Sequence, residues 1–127
     1  MRIAMGVFLL LHGFAHLVGF AVPWRLTSNA EMPYKTTLLA GHWDVGDAGI
    51  RFNGLLWLAA ALVFMVAGLG LLHQTQWWEA LTIIISLVSL VLCIVSWPEA
   101  RIGLFINLAI LLWLYISNKL QWLIVAK

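Results

Sequence analysis

Charge is what this chain lacks most. Only 9% of its 127 residues are charged, seven Lys and Arg against five Asp and Glu, where a soluble domain carries about 25%. The basic residues stand singly, which excludes a nucleic-acid patch. Cysteine occurs once, at Cys93. That excludes an intrachain disulfide, a CxxC redox centre and a cysteine-rich metal site. Cys93 reads as a small packing residue. What fills the chain instead is apolar: 64% hydrophobic residues and a mean hydropathy of +1.01. A soluble fold of this size leaves much of its area exposed and could not hide so much apolar surface. Lipid removes the difficulty.

Four apolar stretches stand out: residues 3–22, broken only by His12 and His16; 54–72, without a charge; 80–97, stopped by Pro98; and 102–117, with a possible continuation to Val125. Each supplies about 20 helical residues, enough to cross the hydrocarbon core. Helices are required, because a barrel needs more strands and an alternating pattern. The expected fold is therefore all-α: a polytopic membrane protein, one membrane domain over 1–127, an antiparallel bundle of four transmembrane helices. The expected spans are 3–23, 50–72, 78–97 and 101–122, with no strand pair. Trp24, Trp77, Trp78, Trp97 and Trp122 fall near the ends of these spans as an aromatic belt; Trp57 and Trp113 lie deeper. The first stretch reads as a retained helix, since the residues after it make no clean A-x-A cleavage site.

Short connections at 73–79 and 98–101 make antiparallel neighbours. The connection 24–49 is far longer, and long connections in compact proteins are usually functional or disordered. Tyr34, Leu38, Leu39 and Trp43 make it too apolar for a free linker, so it is expected to pack over the mouth of the bundle or lie in the interface. Asp47 is expected to cap a second helix beginning near Ala48. Arg2, Lys119 and Lys127 oppose Arg25, Lys35, Arg51 and Arg101 across the membrane, a split that leaves orientation undecided.

His12 and His16 are the sharpest polar feature. Four apart, they share a helix face, and ionisable residues within a span usually point inward. Such a pair can bind a metal or help hold haem, with His42 and Asp44 as further candidate metal ligands. The simpler reading is two neutral imidazoles hydrogen-bonded across helices, which is favoured because metal centres generally need three or four ligands. His16, Asn53, Trp57 and Asn107 fall at matching depths on the long-loop side. They are the candidate ligand-binding residues of a polar pocket opening beneath that loop; ordinary interhelical hydrogen bonding is the competing reading. Thr82, Ser86, Ser89, Cys93 and Ser96 form a small-residue stripe expected to serve helix packing. No general base stands four residues from any of those serines in sequence, so a serine nucleophile has no support there.

The segment Leu11-His12-Gly13-Phe14-Ala15-His16-Leu17, with the span number and length and the glycine-rich first helix, resembles the small bacterial four-span membrane proteins grouped as DoxX-like. The resemblance implies a multi-pass protein of the bacterial inner (cytoplasmic) membrane. Some of that family are associated with quinone-linked sulfur oxidation or redox assembly. No catalytic residue is carried over from it. Two functional readings result. The first is a small non-enzymatic accessory or binding subunit of a larger membrane complex, in contact with the lipid bilayer and with other membrane subunits or copies of itself. The second is a DoxX-like redox or lipophilic-ligand protein, taking quinone, haem or metal in the pocket beneath the long loop; the sequence requires none of these cofactors. A transporter is disfavoured, because no acid is embedded in the membrane interior and no broken helix pair is present.

Overall fold

The computed structural model describes residues 1–120. Four helices account for the fold: α1 (Arg2–Ala21), α2 (Gly46–Leu72), α3 (Trp78–Val95) and α4 (Arg101–Leu120). At 1.5 Å per residue they are about 27 to 40 Å long, and each is long and apolar enough to cross a membrane. Trp122, Val125, Lys127 and the last residues of the fourth expected span lie outside the described residues.

The helices run up, down, up, down. Arg2 at the start of α1 donates to the Leu72 carbonyl at the end of α2, at 2.6 Å. At the opposite end, Trp24 just after α1 donates its indole N–H to the Arg51 carbonyl near the start of α2, at 3.0 Å. The closeness of α1 to α2 rests on missing side chains. A Cβ on Gly13 would lie 2.7 Å from the Ala61 carbonyl oxygen, and one on Gly19 would lie 2.4 Å from the Trp57 ring. Small residues let helix backbones approach in this way. Asn118 of α4 meets Glu79 of α3, and Cys93 meets Gly103, so these two helices are antiparallel as well.

Apolar side chains cover the outside of the bundle as well as filling its core. The fully enclosed side chains include Asn107, Thr82, Ser86 and Ser89 beside Phe64, Leu9 and Leu71, while Leu11, Phe14, Leu62, Leu87, Val91 and Leu112 face outward. Trp24, Trp77 and Trp97 are exposed near helix ends. Trp78 departs from the expected belt: it is 2% exposed and packed in the core, because the first residue of α3 falls on the helix's inward face.

Two other departures lie in the long connection. α2 begins at Gly46, several residues before the apolar run, so Asp47 sits in its first turn and makes no cap bond. Asp47 instead accepts from the Tyr34 hydroxyl and Arg25, and it is Asp44 that takes a backbone N–H, from Gly46 at 3.0 Å. The connection also contains a strand pair the sequence did not lead us to expect, Thr37–Leu38 against Trp43–Asp44. It is only two residues on each side and confined to the connection, so the fold class stays all-α. Its turn places Leu39, Ala40 and Gly41 at positive φ (53°, 56° and 87°), a region costly for residues with a Cβ. That conformation aims the Leu39 and Ala40 N–H groups at the Val95 and Trp97 carbonyls, at 2.8 and 3.1 Å. These carbonyls at the C-terminal end of α3 would otherwise lack helical partners.

Candidate functional site

His12 and His16 lie on the face of α1 that also carries Leu9, Gly13 and Gly19, and both are buried, as their spacing implied. All four helices meet at this pair. From α2, Phe64 packs against both rings, with centroids 4.7 and 5.0 Å away, and Trp57 packs against His16 at 5.1 Å. From α3 and α4 come hydrogen bonds. His16 Nε2 meets the Ser89 hydroxyl at 2.6 Å, the Asn107 amide nitrogen donates to Ser89 Oγ at 2.8 Å, and Asn107 Oδ1 meets His12 Nε2 at 3.1 Å.

The partners fix the protons. A carbonyl only accepts, so His16 Nδ1 donates to the His12 backbone oxygen, at 2.9 Å. His16 Nε2 is then the acceptor in a neutral ring, and Ser89 donates to it. Asn107 donates to Ser89 and accepts from His12 Nε2. Every bond is made with both imidazoles uncharged, which avoids the cost of a bare charge in this setting. This is the cross-helix pairing that the sequence favoured for the histidines. Cys93 closes the group, its sulfur 3.7 Å from the Asn107 amide nitrogen.

The metal set His12, His16, His42 and Asp44 does not come together. The two histidines of α1 are buried at mid-bundle, whereas His42 and Asp44 are exposed on the hairpin of the connection. Among the described residues no group of three His, Cys, Asp or Glu is placed to hold a metal ion.

The four candidate ligand residues divide. Asn107 is fully enclosed, and with His16 it belongs to the sealed network. Asn53 and Trp57 instead line a narrow cleft between the end of the bundle and the long connection, with about 50 Å³ of accessible space. Trp57 belongs to both places, one part against His16 and another facing the cleft. Gly19, Val22, Ile50 and Leu38 complete the apolar wall; Lys35, Thr37, Ser96 and Glu99 supply polar groups. Lys35 Nζ binds Glu99 Oε1 at 2.5 Å and so ties the connection to the turn between α3 and α4. Partial burial pushes the Glu99 carboxyl up, but the Lys35 hydrogen bond and charge outweigh this and hold it below its ordinary range.

Sequence reasoning missed Ser89 and Lys35 as site residues; Glu99 was grouped with Asn53, Asn107 and Arg101 on the long-loop side, with pairing at the interface as its alternative. Ser89 was read as packing, although its depth matches that of His16 and Asn107. The opposite charges of Lys35 and Glu99, on connections at the same end of the bundle, were the available signal for that pair. Leu38 of the connection is buried as expected, but Leu39 and Trp43 are exposed; beside Ile94 and Trp97, Leu39 forms an outward apolar patch.

No family model matches the chain, and no curated protein or solved structure does.

Proposed function

We propose that this chain is an integral membrane protein that serves as a non-enzymatic binding subunit, holding one lipophilic molecule in the cleft beneath the long connection. The outward apolar surface supports the membrane part. His12, His16, Asn107 and Ser89 are inside beside an apolar core, while Leu11, Phe14, Leu62, Val91 and Leu112 face out, the arrangement that lipid favours. The observation that carries the binding part is the make-up of the cleft. An apolar wall built on Trp57 with a few convergent polar groups is the usual character of a small-molecule site, and Asn53 contributes one such group.

The histidine pair supports binding rather than redox chemistry. Three of its four ring nitrogens already hold partners within the bundle, so ligating an iron or another metal there would require breaking the network. The DoxX-like resemblance of residues 11–17 leaves a quinone among the molecules that the cleft would hold. Membership of a larger complex belongs to the same proposal, with the exposed patch of Leu39, Ile94 and Trp97 as a surface for it.

Purification from native membranes in mild detergent, followed by native mass spectrometry, tests this reading. A non-protein mass bound at one per chain is expected. An absorbance spectrum with a Soret band, or stoichiometric metal, would contradict it and favour the redox alternative.

A further inference from the structure

Two polar residues of the cleft, Glu99 and Asn53, keep hydrogen-bonding capacity that the bundle does not use. Glu99 Oε1 is taken by Lys35, but Glu99 Oε2 is buried and has no partner among the described residues. The Asn53 side chain, on a residue only 7% exposed, lines the same cleft and makes no hydrogen bond to a described residue. Buried polar atoms are nearly always paired, so the unpaired Glu99 oxygen beside this space indicates what the space takes.

We infer that the cleft selects a neutral lipophilic molecule bearing a hydroxyl, which donates its proton to Glu99 Oε2. This rests on the binding role proposed above and narrows it to a ligand class. An ionised carboxylate can only accept hydrogen bonds, so the ligand group facing it must be a donor. Lys35 already supplies the compensating cation. A ligand ammonium would meet the Lys35 ammonium within a few ångströms, and like charges that close repel. An acidic headgroup would meet the carboxylate. A hydroxyl avoids both conflicts. The Asn53 amide both donates and accepts, so it tolerates a hydroxyl without selecting for one; Glu99 is the discriminating group. The ligand's apolar body lies against Trp57, Val22 and Ile50.

The test uses the full chain in lipid nanodiscs with three photoreactive probes. Dodecanol, a methyl ketone of matching length and dodecylamine each carry a diazirine at the same tail carbon, and adducts are mapped by mass spectrometry. The alcohol is expected to label cleft residues such as Trp57 and Ile50 at a concentration about tenfold below that needed by the ketone, the usual scale for a hydrogen bond to a charged group. Glu99→Gln replaces the acceptor by an amide that also donates, and the preference should turn toward the ketone. If that variant does not fold, the comparison in the unaltered protein still decides. Equal labelling by alcohol and ketone overturns the inference and leaves the cleft as a binding site. Labelling by the amine below the concentration needed by the alcohol overturns the neutral hydroxyl. If no probe labels the cleft, the binding role itself fails.

Discussion

His16 on α1 and Ser89 on α3 lie 73 positions apart in sequence, and their side chains meet at 2.6 Å inside the bundle. This bond matters because the two helices share no loop. Ser89 also accepts from Asn107, so three helices are held in register by one serine hydroxyl. Interhelical hydrogen bonds within membranes are individually modest, about 0.6–2 kcal/mol. Here they are linked, and removing one member strands the others.

Asn107→Leu should therefore cost more than Ser89→Ala. The leucine removes the amide's bonds to His12, Ser89 and Cys93 and sets a branched apolar chain in a fully enclosed polar site, stranding the His12 N–H, whereas the alanine leaves a small gap, an unpaired His16 nitrogen and an Asn107 N–H that keeps its Cys93 contact. Stranding a buried polar group costs about 1–3 kcal/mol. Thermal unfolding in detergent is expected to show the larger drop for Asn107→Leu. A double-mutant cycle between His12 and Asn107 should give a coupling of about 1 kcal/mol. Independent, additive effects would show that the network is not a unit.

Gly13→Leu should separate α1 from α2. Even a Cβ at this position lies 2.7 Å from the Ala61 carbonyl oxygen, and backbone cannot yield as a side chain can. Overpacking of this kind costs about 1–3 kcal/mol. The outward-facing Leu62→Ala, at a residue 52% exposed, serves as the comparison and should have little effect. Equal melting temperatures for the two variants would refute the close contact.

Acid should loosen the long connection. The Glu99 carboxyl lies below its ordinary value in the folded protein, so the pair with Lys35 contributes stability above the unfolded value, and that contribution is lost as pH falls through the folded one. Between pH 8 and 6 little should change. Below about pH 4, the ordinary range for a free glutamate, hydrogen exchange at Leu39 and Ala40 should accelerate, because their N–H groups bond to Val95 and Trp97 next to Glu99. Glu99→Gln should remove this pH dependence. Unchanged exchange across that window in the unaltered protein would show that the pair does not hold the connection.

The spans were legible because a run of about 20 apolar residues has few alternatives. The inward turn of His12 and His16 was legible because polar groups avoid hydrocarbon. Other features had no such signal. The first turn of α2, Gly46-Asp47-Ala48-Gly49, carries no large apolar residue until Ile50, so hydropathy placed its start too late. The role of Ser89 depends on the azimuth of α3 relative to α1 and α4. Spacing within one helix does not contain that quantity, and a stripe of small residues reads the same whether it packs or bonds. The candidate pocket was half legible for the same reason. Depth grouped His16, Asn53, Trp57 and Asn107, but only helix rotation separates the enclosed Asn107 from the cleft-lining Asn53.

The central claim is that the cleft binds a molecule while the histidine network only holds the bundle together. Native mass spectra of the unaltered protein, Asn53→Leu and Ser89→Ala, each prepared from native membranes, test it most directly. The unaltered chain should carry one bound non-protein mass. Asn53→Leu should lose that occupancy roughly fivefold or more, the scale of one hydrogen bond, while its melting temperature stays near that of the parent. Ser89→Ala should melt lower yet keep the bound mass. A parent spectrum with no adduct, or a bound mass lost from Ser89→Ala and retained by Asn53→Leu, would contradict the account.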